Sequence, residues 1–192
     1  MIVSSAQLLD TPVMSLQTGS QIARTIRAII DPSILEIIGF EVGGPLVQKQ
    51  TNLLSMRDVR ELSNLGFIID SSDELIALGD VIKLDEIYHL NFELLDMTVR
   101  DEHRHKLGKI NGYTVDTSGF LVQQISVKRP LIKSLNDTEL LIHRSQITEI
   151  NDHEIIVHSE AEIPEPTAES IQTSYVNPFR KNTPEPEHID QK

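Results

Sequence analysis

Aliphatic residues recur along this chain in short alternating runs, each closed by turn chemistry, and the set of runs comes twice. In the first set Ile22, Ile26, Ala28 and Ile30 share one parity, which predicts a strand with one buried face. Asp31-Pro32-Ser33 breaks that run before Ile34 to Val42 resumes it, so a hairpin is predicted. Its turn has a physical cause: Pro32 presets φ, and the Asp31 carboxylate can accept a hydrogen bond from the backbone ahead of it. Gly43-Gly44-Pro45 ends the second strand, Leu53, Leu54 and Val59 supply further apolar positions, and Gly66 to Asp70 reads as a closing strand.

The second set repeats this plan. Leu8-Leu9-Asp10 through Val13 returns as Leu94-Leu95-Asp96 through Val99 at a spacing of 86, and Ile22-Ala23-Arg24 falls on Leu107-Gly108-Lys109 at 85. The turn Asp31-Pro32-Ser33 falls on Asp116-Thr117-Ser118, where Gly119 suits a left-handed closing position. Val59 and Leu62 match Ile147 and Ile150 at 88, and Ile68-Ile69 matches Ile155-Ile156 at 87, so the offset drifts only in connections. A repeat of this length predicts two related units.

Short units without helices bury a continuous apolar face by curling an antiparallel sheet onto itself. The fold class read from the pattern is therefore all-β, with two small tandem antiparallel barrels over residues 1–75 and 92–160. Residues 76–91 form the linker. Leu84, Ile87, Tyr88 and Asn91 fall at helical spacing there and predict a short helix near 83–91. Residues 161–192 are rich in Pro and Glu, a composition that cannot bury enough apolar surface to order itself, so a disordered tail is predicted.

Composition narrows the function classes. The chain has 192 residues, no cysteine and a formal charge of −12, which excludes disulfides and thiolate chemistry and disfavours nucleic acid and anionic lipid as long-range partners. A local basic strip of Arg100, Arg104, Lys106 and Lys109 stands against that balance. The apolar runs are far shorter than the roughly 20 residues a membrane helix needs. The opening residues Met1 to Gln7 lack the pattern of a secretory leader, so a cytoplasmic location is expected.

The order Leu-Leu-Asp-x-x-Val, a Leu/Ile-Gly/Ala-Lys/Arg step, a strand ending in Asp, a hairpin and a late Ile-containing strand resembles the PRC-barrel family in both units. The second copy matches better at Leu107-Gly108-Lys109-Ile110, whereas the first has Ala23 where the family has glycine. The resemblance implies tandem PRC barrels of an uncharacterised bacterial type, and partners that are proteins or RNA-associated assemblies. Family members include the C-terminal part of a ribosome maturation factor, a photosynthetic reaction-centre subunit and archaeal cell-division adaptors. The first barrel typical of that maturation factor is not recognisable here.

Candidate chemistry is sparse. His103 with His105, and His153 with His158, suggest a metal pair, but the first lies in a cation-rich turn with no third ligand in view. Asp10 and Asp96, like Asp31 and Asp116, recur at equivalent positions, which points to turn geometry rather than a single active site. No catalytic residue, metal or cofactor is expected. Features that occur once are more telling. Gln123 and Gln124 form a polar pair inside an apolar strand that leads to Lys128, Arg129 and Pro130, and the tail gathers Tyr175, Asn177, Pro178, Phe179, Arg180 and Lys181. These predict contact residues of a non-catalytic protein-interaction adaptor. The alternatives are a factor of ribosome maturation or RNA metabolism and, behind it, a small-molecule-binding or enzymatic barrel.

Overall fold

The computed structural model describes residues 1–44, 51–129 and 139–158. Pro130 and the tail candidates Tyr175 to Lys181 lie outside the described residues. The chain opens with β1 (Ile2–Ser4), α1 (Ser5–Leu8), β2 (Pro12–Ser15), β3 (Ser20–Asp31), β4 (Glu36–Gly43), β5 (Asn52–Ser55), β6 (Glu61–Ser63), β7 (Gly66–Ile69) and β8 (Leu75–Ala77). After α2 (Ile82–His89) come β9 (Thr98–Asp101), β10 (Lys106–Asp116), β11 (Leu121–Lys128), β12 (Glu139–His143), β13 (Ile147–Ile150) and β14 (Glu154–Val157).

The all-β expectation holds, with the short linking helix at α2. The closed antiparallel barrels do not appear among the described residues. Their strands form one open mixed sheet in the order β13-β14-β9-β10-β11-β4-β3-β2-β7-β6, with β5 on β4, β8 on β5, β12 on β11 and β1 on β10. Both β2–β7 and β9–β14 are parallel pairs, because β7 and β14 return alongside β2 and β9 after a long connection. Alternation alone carries no information on strand direction.

The halves share their irregularities as well as their strands. In β3–β4 the register shifts between Thr25 and Arg27 and between Ile29 and Ile30; in β10–β11 it shifts between Ile110 and Gly112 and between Thr114 and Val115. Each shift is a bulge that inserts one unpaired residue and reverses the parity beyond it. Ile26 is the inserted residue of the first, so it points outward and is 56% exposed, against the simple alternation, whereas Ile22 and Ile30 are buried.

Turn chemistry repeats donor by donor. The Asp31 carboxylate accepts from the Ser33 amide at 3.0 Å and from its hydroxyl; Asp116 accepts from the Ser118 amide at 3.1 Å and hydroxyl at 2.8 Å. The left-handed residue that closes each turn is Leu35 (φ 52°) or Phe120 (φ 50°), not Gly119. Such a conformation costs a non-glycine residue about 1 kcal/mol, and the pairing of the two turns offsets it. The Ile37 amide donates to the Phe120 carbonyl and the Val122 amide to the Leu35 carbonyl, both at 2.9 Å, so the halves meet as a reciprocal pair. Asp10 (φ 53°) and Asp96 (φ 63°) are likewise a matched left-handed pair, a conformation Asp tolerates better than most residues, which explains their recurrence.

One apolar cluster runs through both halves, including Leu8, Phe40, Leu54 and Phe67 from the first and Leu94, Val99, Ile125 and Ile155 from the second. Burying each such side chain contributes about 1.5–3 kcal/mol. A separate cluster lies on the outer face of the first half, where Ile29 and Leu53 meet Leu84 of α2, with Ile38, Ile76, Ile87 and Tyr88 around them.

Candidate interaction surface

The once-only residues sit on β11. Gln123 is the inserted residue of the bulge opposite Thr114 and Val115, and is half-buried. Its counterpart, 85 residues earlier, is Ile38, which packs in the outer cluster of the first half. Gln124 is half-buried and pairs with Thr114 and His143. Its counterpart is Gly39, where an added Cβ would stand 2.6 Å from the Leu54 carbonyl oxygen and 3.1 Å from the Leu84 side chain. Glycine is what lets α2 press onto the first half.

Around Gln124 the outer face of the second half is polar and open. Ser126, Asn111, Glu139 and Leu141 share with it a groove of about 200 Å³ flanked by Ser4 and Ser5. The Asn111 side-chain Nδ2 donates to Glu139 Oε1 at 3.1 Å and the Ser126 hydroxyl donates to the same oxygen at 2.6 Å. These donors, Ser126 foremost, hold the Glu139 carboxyl below the usual carboxylate range. Glu139 and Leu141 escape a reading of the sequence as a pair of glutamines, because β12 enters the groove only through its pairing with β11.

The two halves diverge here. Leu53 on β5 and Leu141 on β12 are equivalent, since each lies opposite the matching residue of its neighbour strand, Glu41 or Ser126. Leu53 is 1% exposed beneath α2 and β8, whereas Leu141 is 58% exposed. Among the described residues no strand pairs with β12 as β8 pairs with β5, and α1, which lies against β10 with the Ser5 hydroxyl accepting from the Tyr113 backbone amide at 3.3 Å, leaves Leu141 exposed.

Lys128 and Arg129 lie at the end of β11, exposed and half-buried respectively. Lys128 faces Lys109 across β10 on one side and Glu139 across β12 on the other. The expected basic strip is divided: the Arg100 and Arg104 guanidiniums donate to Glu154 at 2.6 and 2.8 Å, while Lys106 and Lys109 stay exposed. Gly108 ties β10 tightly to this corner, because a Cβ there would meet the Lys128 carbonyl oxygen at 2.2 Å.

Two of the four candidate histidines have carboxylate partners: His105 Nδ1 lies 3.0 Å from Asp101 and His158 Nδ1 lies 2.5 Å from Glu102. Among the described residues no three His, Asp or Glu side chains gather as a metal set. A larger cavity of about 610 Å³ is lined by Ile37, Met56, Leu84 and Phe120 with Arg57 and Lys83. Within the described residues no helix is long and apolar enough to cross a membrane.

No protein-family model matches the chain, and no curated protein matches it in sequence. Among solved structures it is similar to a 16S ribosomal RNA processing protein, RimM, from Pseudomonas aeruginosa, at 16% identity and a TM-score of 0.29 over 84% of this chain and 99% of that one.

Proposed function

We propose that this protein is a non-catalytic binding module of the tandem PRC-barrel kind, and that it holds a protein partner on the outer face of its second half. The observation that carries this reading is the pair Leu53 and Leu141: the same position is sealed in one half and left 58% exposed in the other. The charged groups repeated in both halves, Asp10 and Asp96 or Asp31 and Asp116, serve turns, while Gln124, Ser126 and Glu139 present hydrogen-bonding groups beside an exposed leucine. An apolar anchor within a polar surround is the composition of a protein contact. Affinity capture from an extract of the source organism tests it. The full chain should retain specific partners that Gln124→Arg loses, and equal retention by both would remove this face from the account.

A ribosome- or RNA-associated role is the second reading, favoured by Lys109 and Lys128. Like charges placed directly across a ladder destabilise a sheet, so their exposed pairing suits an anionic partner. RNA binding that weakens steeply with salt, and more weakly in Lys109→Glu, is the expected result under that reading.

A further inference from the structure

We propose that β12 receives an added antiparallel strand from a protein partner, an extended segment in which a pair of acidic residues precedes consecutive apolar ones. The proposal rests on the reading of the second half as the contact surface, and it specifies what makes the contact.

The chain itself supplies the template. β5 and β12 are the same strand in two copies: Leu54 lies opposite Phe40 as Ile142 lies opposite Ile125, and Leu53 opposite Glu41 as Leu141 opposite Ser126. The far edge of β5 is paired by β8, with Leu75 opposite Leu54, Ile76 opposite Leu53 and Ala77 opposite Asn52. Among the described residues β12 pairs with β11 alone. An open edge carrying Leu140, Leu141 and Ile142 is a site for strand addition unless charge, proline or a covering element guards it.

The first half also shows which side chains such a strand needs. Ile76 packs with Leu53 in the outer cluster, and Leu75 packs against the main core that contains Leu54. An incoming segment therefore places one apolar side chain outward over Leu141 and the preceding one inward beside Ile142. Asp73 and Glu74 immediately precede Leu75, at the end of the pairing nearest Ser55 and Met56. The second-half counterparts of Ser55 and Met56 are His143 and Arg144, and the Arg144 guanidinium is fixed there by donating to the Ile34 carbonyl at 3.0 Å. Acidic residues at that end of the added strand meet a cation. Charge complementarity thus sets its direction.

A helix in the manner of α2 fits less well than a strand. Leu84 reaches the sheet only because position 39 is glycine, and Gln124 stands at the equivalent place. The second half has kept the edge that accepts β8 and filled the hollow that accepts α2.

The test uses the full chain and a fluorescein-labelled synthetic peptide with the sequence of residues 71–78, read by anisotropy and by amide hydrogen exchange. Saturable binding is expected, with slowed exchange at 139–143. Leu141→Glu and Arg144→Glu should each weaken it roughly tenfold or more, and a peptide with Lys in place of Asp73 and Glu74 should bind no better than a scrambled one. Circular dichroism melts confirm that the variants are folded. No saturable binding, binding insensitive to Leu141→Glu, or protection confined to β5 would overturn the proposal. So would dimers of the chain that form through β12 and exclude the peptide. Partners lost in Gln124→Arg yet retained in Leu141→Glu would sink the added strand alone, whereas partners retained in both would sink the surface reading itself.

Discussion

Leu53 and Leu141 occupy one position of a repeated fold, and the chain covers the first with its own β8 and α2 while leaving the second in solvent. Both lie on the outer face of a strand that pairs antiparallel with its hairpin neighbour. The difference is thus one of surroundings, not of backbone.

Truncating these two leucines should have very different consequences for folding. Leu53→Ala removes a fully buried side chain and is expected to cost about 2–5 kcal/mol, while Leu141→Ala should change stability by less than about 0.5 kcal/mol. Urea denaturation of each variant checks this, and comparable losses would mean that Leu141 is covered.

Gly108→Ala should destabilise the protein by about 2 kcal/mol or more, since the atom it meets at 2.2 Å is the Lys128 backbone oxygen, which cannot rotate away. At the equivalent buried position of the first half, Ala23→Gly should cost less, about 1 kcal/mol. Denaturation midpoints of the two variants would reveal an equal tolerance if the tight crossing at β10–β11 were wrong.

Acid should unfold the protein through a small set of carboxylates. The Ser118 amide and hydroxyl hold Asp116 below the usual range, Arg60 does the same for Asp70, and Ser126 with Asn111 for Glu139. For Asp101 partial burial opposes the shift, but bonds from the His105 amide and ring still leave it lowered. Because each folded pKa lies below the unfolded one, the unfolded chain binds more protons between the two values. The stabilisation is therefore present above the ordinary carboxylate range, about pH 4, and lost as pH falls through the folded values. Thermal melts from pH 6 down to 2.5 should show a falling midpoint with a shallower slope in Glu139→Gln; an unchanged slope in that variant would contradict the role given to Glu139.

Lys109→Gln removes one of two like charges facing across β10–β11. It should raise stability by up to about 1 kcal/mol at low salt, an increment that shrinks as salt screens the pair. Chemical denaturation at two ionic strengths measures it, and a loss of stability would show that Lys109 serves the fold rather than a partner.

Much of this architecture was legible because it is written in local chemistry. Asp31 with Ser33 and Asp116 with Ser118 define their turns within three residues, and Leu84, Ile87 and Tyr88 mark α2 by spacing alone. Bulges are not local in that sense: nothing near Ile26 announces that an extra residue is inserted, so simple alternation buried a side chain that faces solvent. Conformational freedom points to Gly119 as the left-handed turn residue, whereas the reciprocal bonds from Val122 to the Leu35 carbonyl and from Ile37 to the Phe120 carbonyl hold two bulky residues in that conformation instead. The parallel pairs β2–β7 and β9–β14, and the pairing of β1 with β10, join segments distant in sequence and leave no periodic trace.

Of the surface, Gln123, Gln124, Lys128 and Arg129 stood out as polar residues in an apolar strand. Leu141 did not, since exposed and buried leucines read alike until β8 and α2 are seen to cover only Leu53. Aligning Leu53-Leu54 with Leu141-Ile142 at the spacing of 88 shared by Val59 and Ile147 was the signal that reaches it.

The most direct measurement is amide hydrogen exchange of the full chain, alone and bound to a partner recovered by affinity capture. The account predicts slowed exchange on β12 and the neighbouring part of β11, around Gln124, Ser126 and residues 139–143, with β5 unchanged because β8 already protects it. Protection on the first half, with β11 and β12 exchanging as in the free chain, would contradict it.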